Sequence, residues 1–107
     1  MHEQTPEEYE ISFSIISNVG MAKSLVMEGL FAAREGNFEL AKQKLDDSKS
    51  YFTEGHKIHS TLIQREASGD KVPFSLIFMH AEDQLMSAET ISTLVEEMIE
   101  MYKQIKR

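Results

Sequence analysis

Two clusters of helix-breaking residues, Gly36-Asn37 and Ser68-Gly69-Asp70-Lys71-Val72-Pro73, divide this chain into three long stretches. Within each stretch the apolar residues return every three or four positions. Residues spaced that way share one side of an α-helix, so the rhythm admits helices and little else. In the first stretch the stripe is Ile11, Ile15, Ile16, Val19, Ala22, Val26, Leu30 and Ala33. Thr5-Pro6-Glu7-Glu8 ahead of it is a helix start: Thr5 caps, Pro6 suits the first helical position, and Glu8 stands where a capping box requires it. Gly36 suits a left-handed stop and Asn37 the cap of the next helix. In the second stretch Phe38, Ala41, Leu45, Ser48, Phe52, Gly55, His59 and Leu62 alternate steps of three and four, a seam for nearly aligned packing. Its flanks, dense in Lys and Asp, read as a solvated face. The expected fold is all-α: an antiparallel three-helix bundle in one domain, with helices over about 6–35, 38–68 and 74–105.

The third stretch holds more apolar surface than such a bundle can hide. Ala88, Ile91, Val95, Met98, Tyr102 and Ile105 form one seam, and Met79, Asp83, Met86, Thr90 and Leu94 form a neighbouring one. A lone three-helix bundle has one inside, so the surplus face predicts self-association. Gly20 and Gly29 interrupt the first helix, each at a cost of up to about 1 kcal/mol. Close approach of a neighbouring helix is the expected reason at both.

Composition removes several function classes. The chain has 107 residues and a net charge of −7, with 18 acidic against 11 basic side chains. Neither sequence-independent nucleic-acid binding nor a basic membrane-surface helix is expected from that balance. There is no cysteine, which excludes disulfides, thiolate metal sites and cysteine nucleophiles. The N-terminus has no basic and apolar pair of regions, and the apolar run Leu76-Ile77-Phe78-Met79 stops at His80. That is far short of the roughly 18 residues a membrane span needs, so a soluble, cytoplasmic protein is expected.

Polar chemistry gathers in His80-Ala81-Glu82-Asp83-Gln84-Leu85-Met86. Asp83 and Gln84 lie three and four residues beyond His80, on its side of the helix, and Ser87 one turn further. A neutral imidazole is a competent nucleophile, and a nearby amide or hydroxyl could steady an acquired phosphoryl group. On the spacing alone a structural histidine is the favoured reading, since one histidine on a helix is a poor signal by itself. Asp83 falls within an apolar seam, where a charge is costly unless compensated. Two remedies are open: an ion pair with a Lys or Arg of another helix, or a cation gathered by symmetry-related copies. His56 and His59 share a helix face and could clip a transition metal, although a packed or hydrogen-bonded role is the simpler expectation for two nitrogens without a third ligand. The rival readings of the whole chain are a helical adaptor and a metal-binding bundle.

Three stretches together resemble a known family. Ala33-Arg34-Glu35-Gly36-Asn37-Phe38-Glu39-Leu40-Ala41, Gly55-His56-Lys57-Ile58-His59-Ser60-Thr61-Leu62-Ile63-Gln64, and above all His80 to Met86 are similar to the lactose/cellobiose family of enzyme IIA proteins. These are components of the bacterial phosphoenolpyruvate-dependent sugar phosphotransferase system. The resemblance runs from about Ile16 to Tyr102 and implies a homotrimer of three-helix subunits. It implies that His80 is the phosphoryl acceptor, loaded at Nε2 by the histidine-containing phosphocarrier protein and unloaded onto a cysteine of the cognate enzyme IIB. It also implies that Asp83 meets its counterparts around one structural Mg²⁺ per trimer, and that the sugar is a β-disaccharide of the cellobiose, lactose or chitobiose class. Gln84 and Ser87 are the candidates for site support. Two positions depart from the family pattern: Glu82 stands where Gln is usual and Gln84 where His is common.

Overall fold

The computed structural model describes residues 4–106. Three helices account for nearly all of them: α1 (Pro6–Arg34), α2 (Phe38–Ala67) and α3 (Leu76–Ile105). Each is capped as the local sequence requires. The Glu8 amide donates to Thr5 Oγ1 at 3.2 Å, the Leu40 amide to Asn37 Oδ1 at 3.1 Å, and the Phe78 amide to Ser75 Oγ at 3.1 Å. That last bond sets the start of α3 at Leu76 rather than 74, because Ser75 itself is extended. Gly36 occupies the left-handed region at φ 85°, which ends α1 at Arg34 and turns the chain back within three residues.

The molecule is a rod of about 59 × 21 × 20 Å. A helix of this length spans roughly 45 Å, so the helices run nearly along the long axis. The three do not share contacts equally. α1 packs along both partners, whereas α2 and α3 hardly meet. The core is therefore two seams on one central helix. Ile15 and Val19 pack with Leu62, Ala81, Leu85 and Ala88 at one end, and Val26 and Ala33 with Ala41, Val95 and Ile99 at the other. α1 is also long and apolar enough, by length and composition, to cross a membrane, which the search for an unbroken apolar run overlooks. Part of that apolar surface is buried at the centre of the bundle, while Phe13, Met21 and Phe31 stay exposed.

The two glycines part company. A methyl group on Gly29 would stand 3.2 Å from the Ala41 carbonyl oxygen, so α1 and α2 do approach closely there. A methyl group on Gly20 would meet nothing within 4 Å. The expectation of close packing holds for Gly29 and fails, within one subunit, for Gly20. On α3 the buried stripe is Ala81, Leu85, Ala88, Val95 and Ile99, with Ile91 and Tyr102 beside it. Met98 and Ile105, which share a seam with Ala88, Ile91 and Val95 by spacing, are exposed. A helix apolar on more than one face gives no unique phase to its periodicity, and the phase is set by what α1 can cover.

Candidate functional site

His80 lies in the second turn of α3, at the end of the rod where the α2–α3 connection and the start of α1 also come together. Its neighbours Ala81 and Leu85 are buried against α1, which fixes the rotation of the helix and leaves the imidazole exposed. The ring borders an open depression of about 550 Å³ together with Tyr9, Ser75, Leu76 and Ile77. Helical side chains lean toward the N-terminus of their helix, so His80 overhangs this first turn of α3. Gln84 and Ser87 follow on the same side, both half-buried. Leu76, in the lining of the depression, is exposed by more than three quarters, and Phe74 and Met79, nearby in the chain, are exposed as well.

The three histidines among the described residues have different fates. His56 Nε2 pairs with Glu89 Oε1 at 2.8 Å, and His59 Nε2 is hydrogen-bonded to Glu82 Oε1. Both pairs bridge α2 to α3, and as α2 advances from 56 to 59 its partners on α3 step back from 89 to 82. They form a polar clasp along a boundary with little other contact. His80 has no hydrogen bond or ion pair among the described residues. The expectation of hydrogen-bonded roles for His56 and His59 is met, each Nε2 being turned to a carboxylate of α3. No group of three or more metal-ligating side chains exists among the described residues of one subunit.

Glu82 has an explanation in the clasp. Two residues from His80, it projects from the other flank of α3, toward α2, and His59 supplies a partner for the carboxylate. It does not face the depression at His80. Asp83 is exposed, and among the described residues it has no Lys or Arg partner. The ion-pair remedy for its charge is therefore not the one used within the subunit.

Over residues 10–103 the chain matches the family described as the lactose/cellobiose-specific IIA subunit of the PTS system. This chain belongs to that family. It is 38% identical over 96 residues to the lichenan-specific phosphotransferase enzyme IIA component of Bacillus subtilis, covering 90% of this chain and 87% of the relative. The crystal structure of the cellobiose-specific enzyme IIA from Bacillus anthracis superposes with a TM-score of 0.91 at 36% identity, covering 97% of this chain and 94% of that one. A solution structure of the chitobiose IIA–HPr complex matches with a TM-score of 0.84 at 31% identity, covering 96% and 100%.

As a IIA subunit of the lactose/cellobiose class, the chain is a component of a sugar phosphotransferase system with a general phosphotransferase role. Sequence reasoning found the exposed His80 and the side it shares with Gln84 and Ser87. It missed Tyr9, which borders the same depression from another helix. It also missed Glu82 and Glu89 as partners of His59 and His56, since those pairs depend on the α2–α3 register. The one available signal was the pairing of spacings, three on α2 against seven on α3, both returning to one helix face.

Proposed function

We propose that His80 carries a phosphoryl group between two proteins: the histidine-containing phosphocarrier loads it, and a cysteine of the cognate enzyme IIB removes it. The observation that carries this reading is the contrast among the histidines. His56 and His59 are committed to carboxylates, while His80 is exposed on a side the core does not use. A carrier must reach two protein surfaces in turn, and a ring open to solvent among exposed apolar side chains meets that need. The neighbouring IIA–HPr complex supports the choice of donor.

In loading, the Nε2 lone pair of neutral His80 attacks phosphorus in line with the donor's phosphorus–nitrogen bond. That bond breaks with its electron pair returning to the donor ring, which takes up a proton as His80 sheds its Nδ1 proton to solvent. In unloading, a thiolate attacks phosphorus, the sulfur–phosphorus bond forms as the Nε2–phosphorus bond breaks with its electron pair returning to the ring, and the ring takes a proton from solvent to become neutral again. Catalysis of such transfers rests on positioning and charge stabilisation, so no further cofactor is required at phosphorus. Gln84 and Ser87 are placed to support the phosphoryl oxygens from the same helix side.

The working assembly is a homotrimer in the cytoplasm. Leu76, Met79, Met86, Leu94, Met98, Met101 and Ile105 leave an apolar stripe uncovered along α3, and a second and third copy would cover it. Asp83 interrupts that stripe. One carboxylate per subunit cannot hold a metal, but three brought together offer the hard oxygen donors that suit Mg²⁺. The ion would offset the mutual repulsion of the carboxylates. The transported sugar is a β-disaccharide of the cellobiose, lactose or chitobiose class, in keeping with the relatives' substrates.

The test is a labelling experiment with phosphoenolpyruvate, the general system enzyme and the phosphocarrier protein. The wild-type chain should acquire one acid-labile phosphoryl group and His80→Gln none. Label retained in His80→Gln removes His80 from the role.

A further inference from the structure

The depression beside His80 is bordered by one hydroxyl that the transfer described above leaves unused. Of its five lining residues Leu76 and Ile77 are apolar, Ser75 is engaged as the cap of α3, and His80 is the carrier. The fifth is Tyr9, in the first turn of α1. Its side chain is 44% exposed, and its hydroxyl has no hydrogen-bond partner among the described residues.

The placement of Tyr9 is built by its neighbours. The preceding residue, Glu8, is buried and reaches Arg65 of α2 at 3.7 Å, and Arg65 is itself held by Asp70 at 2.9 Å. Gln4 Nε2 donates to the Pro73 carbonyl at 3.2 Å, tying the approach to α1 onto the α2–α3 connection. Thr5 caps the helix, and its carbonyl accepts from the Tyr9 amide at 3.1 Å. The first turn of α1, often the frayed part of a helix, is anchored to α2 and to the loop leading into α3. Those anchors hold the ring at the depression that His80 also borders.

We propose that Tyr9 is a further residue of the transfer site, its phenol donating a hydrogen bond to an oxygen of the phosphoryl group as it arrives on and leaves His80. The inference rests on His80 as the carrier. The phenol keeps its proton throughout, and no bond beyond the two already described forms or breaks. A neutral donor suits the task, because the oxygens carry most of the charge in both transfers and the depression contains no Lys or Arg. The half-exposed setting makes the contribution smaller than that of a buried oxyanion-hole donor, which is worth about a hundred- to a thousandfold.

The experiment compares wild-type, Tyr9→Phe and Tyr9→Ala chains in transfer from the phosphorylated phosphocarrier, with ³¹P spectra of the loaded chains. Tyr9→Phe retains the ring and is expected to lower kcat about tenfold with KM for the phosphocarrier nearly unchanged. Its phosphohistidine resonance is expected to shift. Tyr9→Ala should match that loss in kcat and raise KM as well, since the ring is also part of the surface the donor meets. Wild-type kcat in Tyr9→Phe, or a change confined to KM, overturns the proposal and reduces Tyr9 to packing. A wild-type chain that accepts no label on His80 sinks the carrier reading, and this inference with it.

Discussion

Helices α2 and α3 have the same length and lean on the same central helix, yet they present opposite outer surfaces. The outside of α2 is charged, with Lys42 and Lys49 both bonded to Asp46. The outside of α3 is a stripe of exposed Leu, Met and Ile. A helix whose back is charged is finished by its own subunit; one whose back is apolar is finished by another. The exposed histidine belongs to the helix with the uncovered apolar back, so the proposed site and the proposed assembly surface share one element.

The comparison breaks most decisively on the α3 stripe. Met86→Glu with Leu94→Glu should leave the helical content intact, because both side chains are exposed, and reduce the solution mass from a trimer to a monomer. An unchanged mass by sedimentation equilibrium would place the subunit contact elsewhere. Asp83→Leu should act in the opposite sense: the trimer persists, because an apolar side chain removes the repulsion, and stabilisation by added Mg²⁺ disappears. A monomeric Leu variant would contradict that account of the charge. Between the two helices, His59→Ala should cost about 1 kcal/mol by removing a partly buried hydrogen bond to Glu82, with a smaller loss for His56→Ala, whose side chain is 53% exposed. Urea unfolding of the two variants measures the difference.

The smallest effect is expected on the outside of α2. The hydrogen bond from Lys42, and then that from Lys49, hold the Asp46 carboxyl below its ordinary range. Its support for the fold is therefore present above the usual carboxylate pKa and lost as pH falls through the lowered value. Since the group is fully exposed, Asp46→Asn should leave the thermal midpoint at pH 7 unchanged within error. A measurable drop would mean that this face is less purely solvated than its composition implies.

Much of this arrangement was legible in the sequence, for reasons that differ by element. The stripe of α2 was readable because that helix has one dominant apolar face; on α1 the spacing found the buried Ile15, Val19, Ala22, Val26 and Ala33, although Phe13, Met21 and Phe31 lie exposed on other faces. The caps at Thr5 and Asn37 were readable because capping is local chemistry. On α3 several faces are apolar, so spacing alone did not say which seam is buried, and Met98 and Ile105 turn out exposed. Gly20 and Gly29 look alike as letters and differ only in what stands opposite. The clasp of His59 with Glu82 was out of reach, since it depends on the register of two helices that barely touch. His80 was singled out by its motif; that it has no hydrogen-bond or ion-pair partner among the described residues needed the fold.

The near-absence of contact between α2 and α3 has a consequence for biosynthesis. On the ribosome α1 and α2 emerge first, and as sequence neighbours joined by a tight turn they can pair into a hairpin while α3 is still in the exit tunnel. Nothing in that hairpin waits for a strut between α2 and α3. The last helix to appear brings His80 and the uncovered apolar stripe at the same moment, so a prematurely terminated chain lacks both. For the assembly proposed above, the order of translation itself would keep unfinished copies out.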